Sequence, residues 1–153
     1  PMAPHTPKLY MEHTMNLDTQ LIFLPVLAHI FLIFGLYIKL GVEKAKAVKT
    51  GQVDRAMASL DSRAWPTSVV KISNNIDNQF QIPMMFYALT FIAFLTNNAT
   101  SVAIICMGIF VLTRYVHAYI HVTSNYVPHR FRAFTLGTLI LLALTIWLFL
   151  SLL

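Results

Sequence analysis

A chain of 153 residues with 57% apolar and 11% charged residues is too poor in charge for a water-soluble domain, where about a quarter of residues are charged. The same figures exclude a disordered chain, which is rich in charge and poor in apolar side chains. The net charge of +5, from 11 Lys plus Arg against 6 Asp plus Glu, fits basic loops on the cytoplasmic side of a membrane rather than a nucleic-acid partner. In chain order, residues 1–16 hold Pro1, Pro4, Pro7, His5 and His13, read as a solvated lead without a cleavable signal, the first span serving as insertion signal. A span needs about 20 apolar residues, and residues 19–40 supply the first, with Pro25 near its start and Lys39 at its end. His29, alone within it, is expected to be a hydrogen-bonded helix contact. Residues 41–67 form a long connector whose DRAMASLDSRAW stretch suits a short interfacial helix, with Trp65 at headgroup level. The second span, 70–95, is apolar after Pro83 and polar before it, and residues 102–121 and 131–153 are the third and fourth. Short second and third connectors make neighbouring helices antiparallel. The expected fold is all-α, a single membrane domain forming an up-down four-helix bundle.

Orientation follows from the basic residues. From Lys39 to Lys71 the cations are Lys39, Lys44, Lys46, Lys49, Arg55, Arg63 and Lys71, against Glu43, Asp54 and Asp61, whereas the 96–101 connector has no charge. The first and third connectors are therefore expected in the cytoplasm and both termini on the other side. Cys106 stands alone and reads as a buried free thiol.

Polar residues inside spans carry the functional signal, because an unpaired polar group in hydrocarbon costs several kcal/mol. Lys71, Asn74, Asn78 and Gln81 fall on one helical stripe, as do Arg114, His117 and His121. At 1.5 Å per residue, Gln81 lies roughly 7 Å and Arg114 roughly 10 Å inside the cytoplasmic boundary, with Arg130 and Arg132 near that boundary on the fourth span. Several helices thus send polar groups to one slab. Guanidinium groups suit carboxylates, and the flanking apolar walls suit a lipophilic molecule. No metal is expected: His117 and His121 make a pair at i, i+4, but the ligand set is otherwise poor.

The segment from Asn78 through Gln81, Pro83 and Phe86 to Tyr87, and the set Arg114, His117, His121, Asn125, Arg130 and Phe131, resemble the second-helix and third-helix motifs of the membrane-associated proteins in eicosanoid and glutathione metabolism (MAPEG). The resemblance covers nearly the whole chain. It implies a homotrimer that binds glutathione between protomers near the cytoplasmic face and takes a lipophilic small-molecule substrate from the membrane lipid. It implies Arg114 and Arg130 as the residues carrying the chemistry, and Asn74, Asn78, Gln81, Arg114, His117, His121 and Arg130 as the glutathione site. The implied activity is a glutathione-dependent transferase or peroxidase acting on lipophilic electrophiles. Departures favour a competing expectation. Gln81 stands where relatives commonly carry Glu, Asp77 stands where a basic residue is frequent, and Phe131 replaces the Ser of prostaglandin-isomerising members. A fold kept with its chemistry lost, as an accessory subunit of a larger membrane complex, is the alternative.

Overall fold

The computed structural model describes residues 20–153. The start of the first span, the solvated reading of His5 and His13, the expectation about a signal and the side of the N-terminus fall outside them or rest on residues outside them. The described residues form α-helices joined by short turns: α1 (Leu24–Lys49), α2 (Arg55–Leu60), a 3-10 turn (Ser62–Ala64), α3 (Thr67–Gln79), α4 (Ile82–Leu95), α5 (Ser101–Val122) and α6 (Val127–Ser151). Three of them, α1, α5 and α6, are long and apolar enough to cross a membrane.

Local chemistry sets the helix ends. Pro25 lies in the first turn of α1, where the missing N–H would have no intrahelical partner. The helix does not stop with the apolar run at residue 40. It continues through the charged stretch to Lys49, so the 41–67 connector expected from the sequence is largely helical. Gly51, at φ +66°, ends it: the Gly51 N–H bonds the Val48 carbonyl and the Gln52 N–H bonds the Ala47 carbonyl, at 3.1 and 3.0 Å. That paired closure needs a left-handed residue, which glycine adopts without penalty. Asp54 caps α2 by accepting from Ala56 and Met57 N–H, and Thr100 caps α5 by accepting from Ala103 N–H. The short helix expected in the connector is therefore present as α2 and the 3-10 turn. Trp65 beyond them lies under the Lys44 ammonium, 4.9 Å from ring centroid to Nζ.

The segment expected as one span, 70–95, is two helices. Between them, Phe80 and Gln81 leave the helical path, Gln81 at φ −98° and ψ −99°. Pro83 explains the break. It has no N–H to give the Gln79 carbonyl, and its ring clashes with that carbonyl in a straight helix. The break also turns Gln81 away from the stripe of Lys71, Asn74 and Asn78 on which an unbroken helix would have placed it. The helix α6, expected as the fourth span, starts at Val127, earlier than the sequence reading, because Pro128 in its first turn nucleates rather than blocks it.

Packing divides into two regions. Phe86, Met107, Phe110, Leu141, Leu144 and Leu148 are buried together, with the Phe86 and Phe110 rings 5.0 Å apart. In this region α5 and α6 approach closely at Gly137, where an added Cβ would sit 2.6 Å from Thr113 Oγ1. A smaller apolar set, Leu36, Ile72, Ile76 and Ala118, joins α1, α3 and α5. The polar residues lie between and beside these clusters.

Candidate functional site

On α3 the buried apolar residues Val69, Ile72 and Ile76 mark the inward face. Asn75 and Gln79 lie on that same face and are fully buried. Each finds partners: Asn75 Nδ2 donates to the Ala118 carbonyl at 3.4 Å, and Gln79 Nε2 donates to Asn75 Oδ1 at 2.9 Å. Gln79 Oε1 accepts from Arg114 Nε at 3.3 Å and lies 3.2 Å from His29 Nε2. Arginine is a donor only, so the oxygen of this amide faces Arg114, and His29 carries its proton on Nε2. His29 Nδ1 is then the acceptor for the Tyr87 hydroxyl, 2.7 Å away. Four helices meet in this chain of bonds.

Arg114 is fully buried. Its Nη1 and Nη2 have no partner among the described residues, and its Cζ lies 5.7 Å from the centroid of the Phe134 ring. No Asp or Glu follows Asp77 in the sequence, and Asp77 is itself exposed. One turn along α5, His117 gives its Nδ1–H to the Arg130 carbonyl at 3.1 Å. That bond fixes the tautomer and leaves an acceptor lone pair on Nε2, which is buried and unpartnered among the described residues. His121 Nδ1 and Arg130 Nε are in the same condition. Arg130 Nη1 donates to Asn125 Oδ1; Asn125, at φ +53°, is held by its N–H on the Ile120 carbonyl at 2.7 Å. Beside these groups is a half-open cavity of about 210 Å³ lined by Asn78, His117, Val127, Arg130, Phe131 and Phe134.

Buried polar atoms are nearly always hydrogen-bonded, so this concentration of unmatched ones is informative. The free groups are mainly cationic donors with a neutral acceptor among them. They match a molecule that carries carboxylates or another anion together with N–H groups.

Of the residues singled out from sequence, Arg114, His117, His121 and Arg130 form one neighbourhood, with Asn78 half-buried on its cavity wall. Asn74 and Gln81 are not brought to it and are exposed; the side chain of Asn78 donates back to the Asn74 carbonyl at 2.9 Å. Sequence reading missed Asn75, Gln79 and Tyr87. The available signal was that Asn75 and Gln79 share the face of Val69, Ile72 and Ile76. His29 is the hydrogen-bonded contact expected of it, and its partners tie it to Arg114.

Comparison with protein families matches residues 22–150 to the MAPEG family. The chain belongs to the MAPEG family. Comparison with curated proteins and with solved structures gave no match. Membership agrees with the three apolar helices in making this MAPEG protein a membrane protein, and it fits a glutathione-related function in general. The segments that resembled the family in sequence, around Asn78 to Tyr87 and Arg114 to Arg130, are those that form the polar neighbourhood of this MAPEG chain.

Proposed function

We propose that the protein is a glutathione-dependent membrane transferase or peroxidase acting on lipophilic electrophiles, with glutathione held near the cytoplasmic face between protomers of a homotrimer. The observation that carries this reading is the Arg114 guanidinium, fully buried with both terminal nitrogens unpartnered among the described residues. Intramembrane cations are functional by default, and close to this one lies a second guanidinium, Arg130, which with His117 and Phe134 lines a half-open cavity. Family membership supports the same reading.

Glutathione offers two carboxylates, two amides and a thiol. Arg114 and Arg130 are matched to its anionic groups and Asn78 and His117 to its amides. A guanidinium beside the thiol favours the thiolate, the form that attacks. The thiolate sulfur then bonds to the electrophilic carbon, the leaving group departs with its electron pair, and the thiol proton passes to water. Phe131 and Phe134 give the lipophilic partner an apolar approach. The cavity of one protomer, about 210 Å³, is below the roughly 300–1,000 Å³ of ligand pockets in general. A site of this size and openness fits one completed by a second copy, which would also cover Asn74 and Gln81.

The exposed position of Gln81, away from the cavity, favours the competing reading of a MAPEG-like accessory subunit without chemistry. Equilibrium binding of glutathione to the detergent-solubilised protein, with conjugation to a chloro-dinitrobenzene, separates the two. The transferase reading expects saturable binding, thioether formation and a trimeric mass by native mass spectrometry. Absence of binding, or a stoichiometric place in a hetero-complex, supports the subunit reading instead.

A further inference from the structure

The bonds around Gln79 have an asymmetry that the anion-binding reading of Arg114 does not require. Its Oε1 takes the Arg114 Nε–H and the His29 Nε2–H, and its Nε2 gives to Asn75 Oδ1 and, at 3.3 Å, to the Asn75 carbonyl. An amide has two acceptor sites and two donor hydrogens, so this side chain is saturated and has nothing left for a ligand. Both ring nitrogens of His29 are likewise occupied, by Gln79 and by the Tyr87 hydroxyl. Among the described residues, the buried atoms of this network left without a partner are Arg114 Nη1 and Nη2. All three central groups, His29, Gln79 and Arg114, are fully buried.

The partner of Arg114 is also neutral. A carboxylate in that place would take the guanidinium through two parallel bonds and cancel its charge. The amide takes one bond, at Nε, and leaves the charge. We propose that Gln79 is a positioning residue, a neutral clamp that fixes the Arg114 guanidinium by Nε alone and keeps its terminal nitrogens and its full charge available to an anionic ligand. His29 from α1 and Tyr87 from α4 hold the clamp in its orientation. The identity of the anion rests on the reading given under Proposed function; the clamp does not.

The test uses the full chain in detergent, with glutathione as probe and two readouts. Gln79→Glu should weaken glutathione binding roughly tenfold or more, because a charged bidentate partner competes with the ligand for Arg114. His29→Leu should weaken it about threefold, and His29→Gln, whose amide N–H can still reach Gln79, should restore most of the loss. A filler of apolar volume alone would not distinguish Leu from Gln in this way. The second readout is the Arg114 Nε–H resonance in protein labelled with 15N-arginine: Gln79→Leu should speed its exchange with solvent severalfold as its acceptor is removed. Parent-like affinity in Gln79→Glu, or equal losses in the two His29 variants, overturns the proposal, and the His29 pair decides the matter if Gln79→Glu does not fold. If the parent itself binds no glutathione, the proposed function fails while the clamp is still judged by the resonance. An unchanged Nε–H exchange rate in Gln79→Leu overturns it, and a faster one upholds it.

Discussion

The two packing regions of the chain solve the same problem in different ways. Around Phe86, Phe110 and Leu141 the helices bury side chains that need nothing but contact, and the region is complete as it stands. Around Gln79, Arg114 and His117 the helices bury groups that need partners, and the supply within the described residues stops short. Asn75, Gln79 and His29 are fully provided for, whereas Arg114, His117, His121 and Arg130 each keep an unmatched atom. The second region is thus two layers, a satisfied scaffold and an unsatisfied surface on it. Stability belongs to the first region and to the scaffold; in the proposed function, recognition falls to the unmatched groups.

Mutations should separate the halves. The largest effect is expected from Phe110→Ala, which empties a fully buried aromatic site and should lower stability by about 3–5 kcal/mol, read from thermal or denaturant unfolding in detergent. Arg114→Met should do the reverse. It removes an unpaired buried cation, so stability should hold or rise, while glutathione affinity falls about a hundredfold, on the order of 3 kcal/mol. A destabilised Arg114→Met protein that still binds the tripeptide would merge the two halves into one. Gly137→Ala places a Cβ against Thr113 Oγ1 and should cost about 1–3 kcal/mol of stability by the same unfolding measurement. The smallest effect lies outside both regions, at the 3-10 turn. The Asp61 carboxyl accepts from the Arg63 backbone N–H and then from its Nε, at 2.8 and 3.2 Å, and these bonds hold it below the usual carboxylate range. A depressed folded pKa gives a contribution that is present above the unfolded value and lost as pH falls through the folded one. At so exposed a site solvent screens it. Acidification should therefore speed exchange of the Arg63 amide without moving the global unfolding midpoint.

The apolar half was legible because long runs of Leu, Ile, Phe and Val have one reading in a membrane protein. The helices α1, α5 and α6 follow those runs closely; the charged extension of α1 to Lys49 and the early start of α6 at Val127 escaped, since helix propensity carries on where hydropathy stops. Arg114, His117 and Arg130 were legible because charge is scarce there. The amides were not. Asn74, Asn75, Asn78, Gln79 and Gln81 are chemically alike, and a stripe chosen by polarity alone selects 74, 78 and 81. The inward face is instead announced by Val69, Ile72 and Ile76, with which Asn75 and Gln79 are in register. Pro83 was visible too, but a proline in a membrane helix kinks it in some settings and is absorbed in others, and only the packed neighbours decide which.

The break at Phe80 and Gln81 has a consequence for how the chain enters a bilayer. With 13 residues in α3 and 14 in α4, each half-helix spans only about 20 Å at 1.5 Å per residue, against a hydrocarbon core of about 30 Å. Neither is a span that an insertion machinery could release into lipid by itself. The buried amides of the polar half find part of their partners on each other and the rest on α1 and α5, one made before it and one after. Partitioning of this segment is then a group decision: α3 is completed only when α5 has been synthesised and Arg114 can reach Gln79.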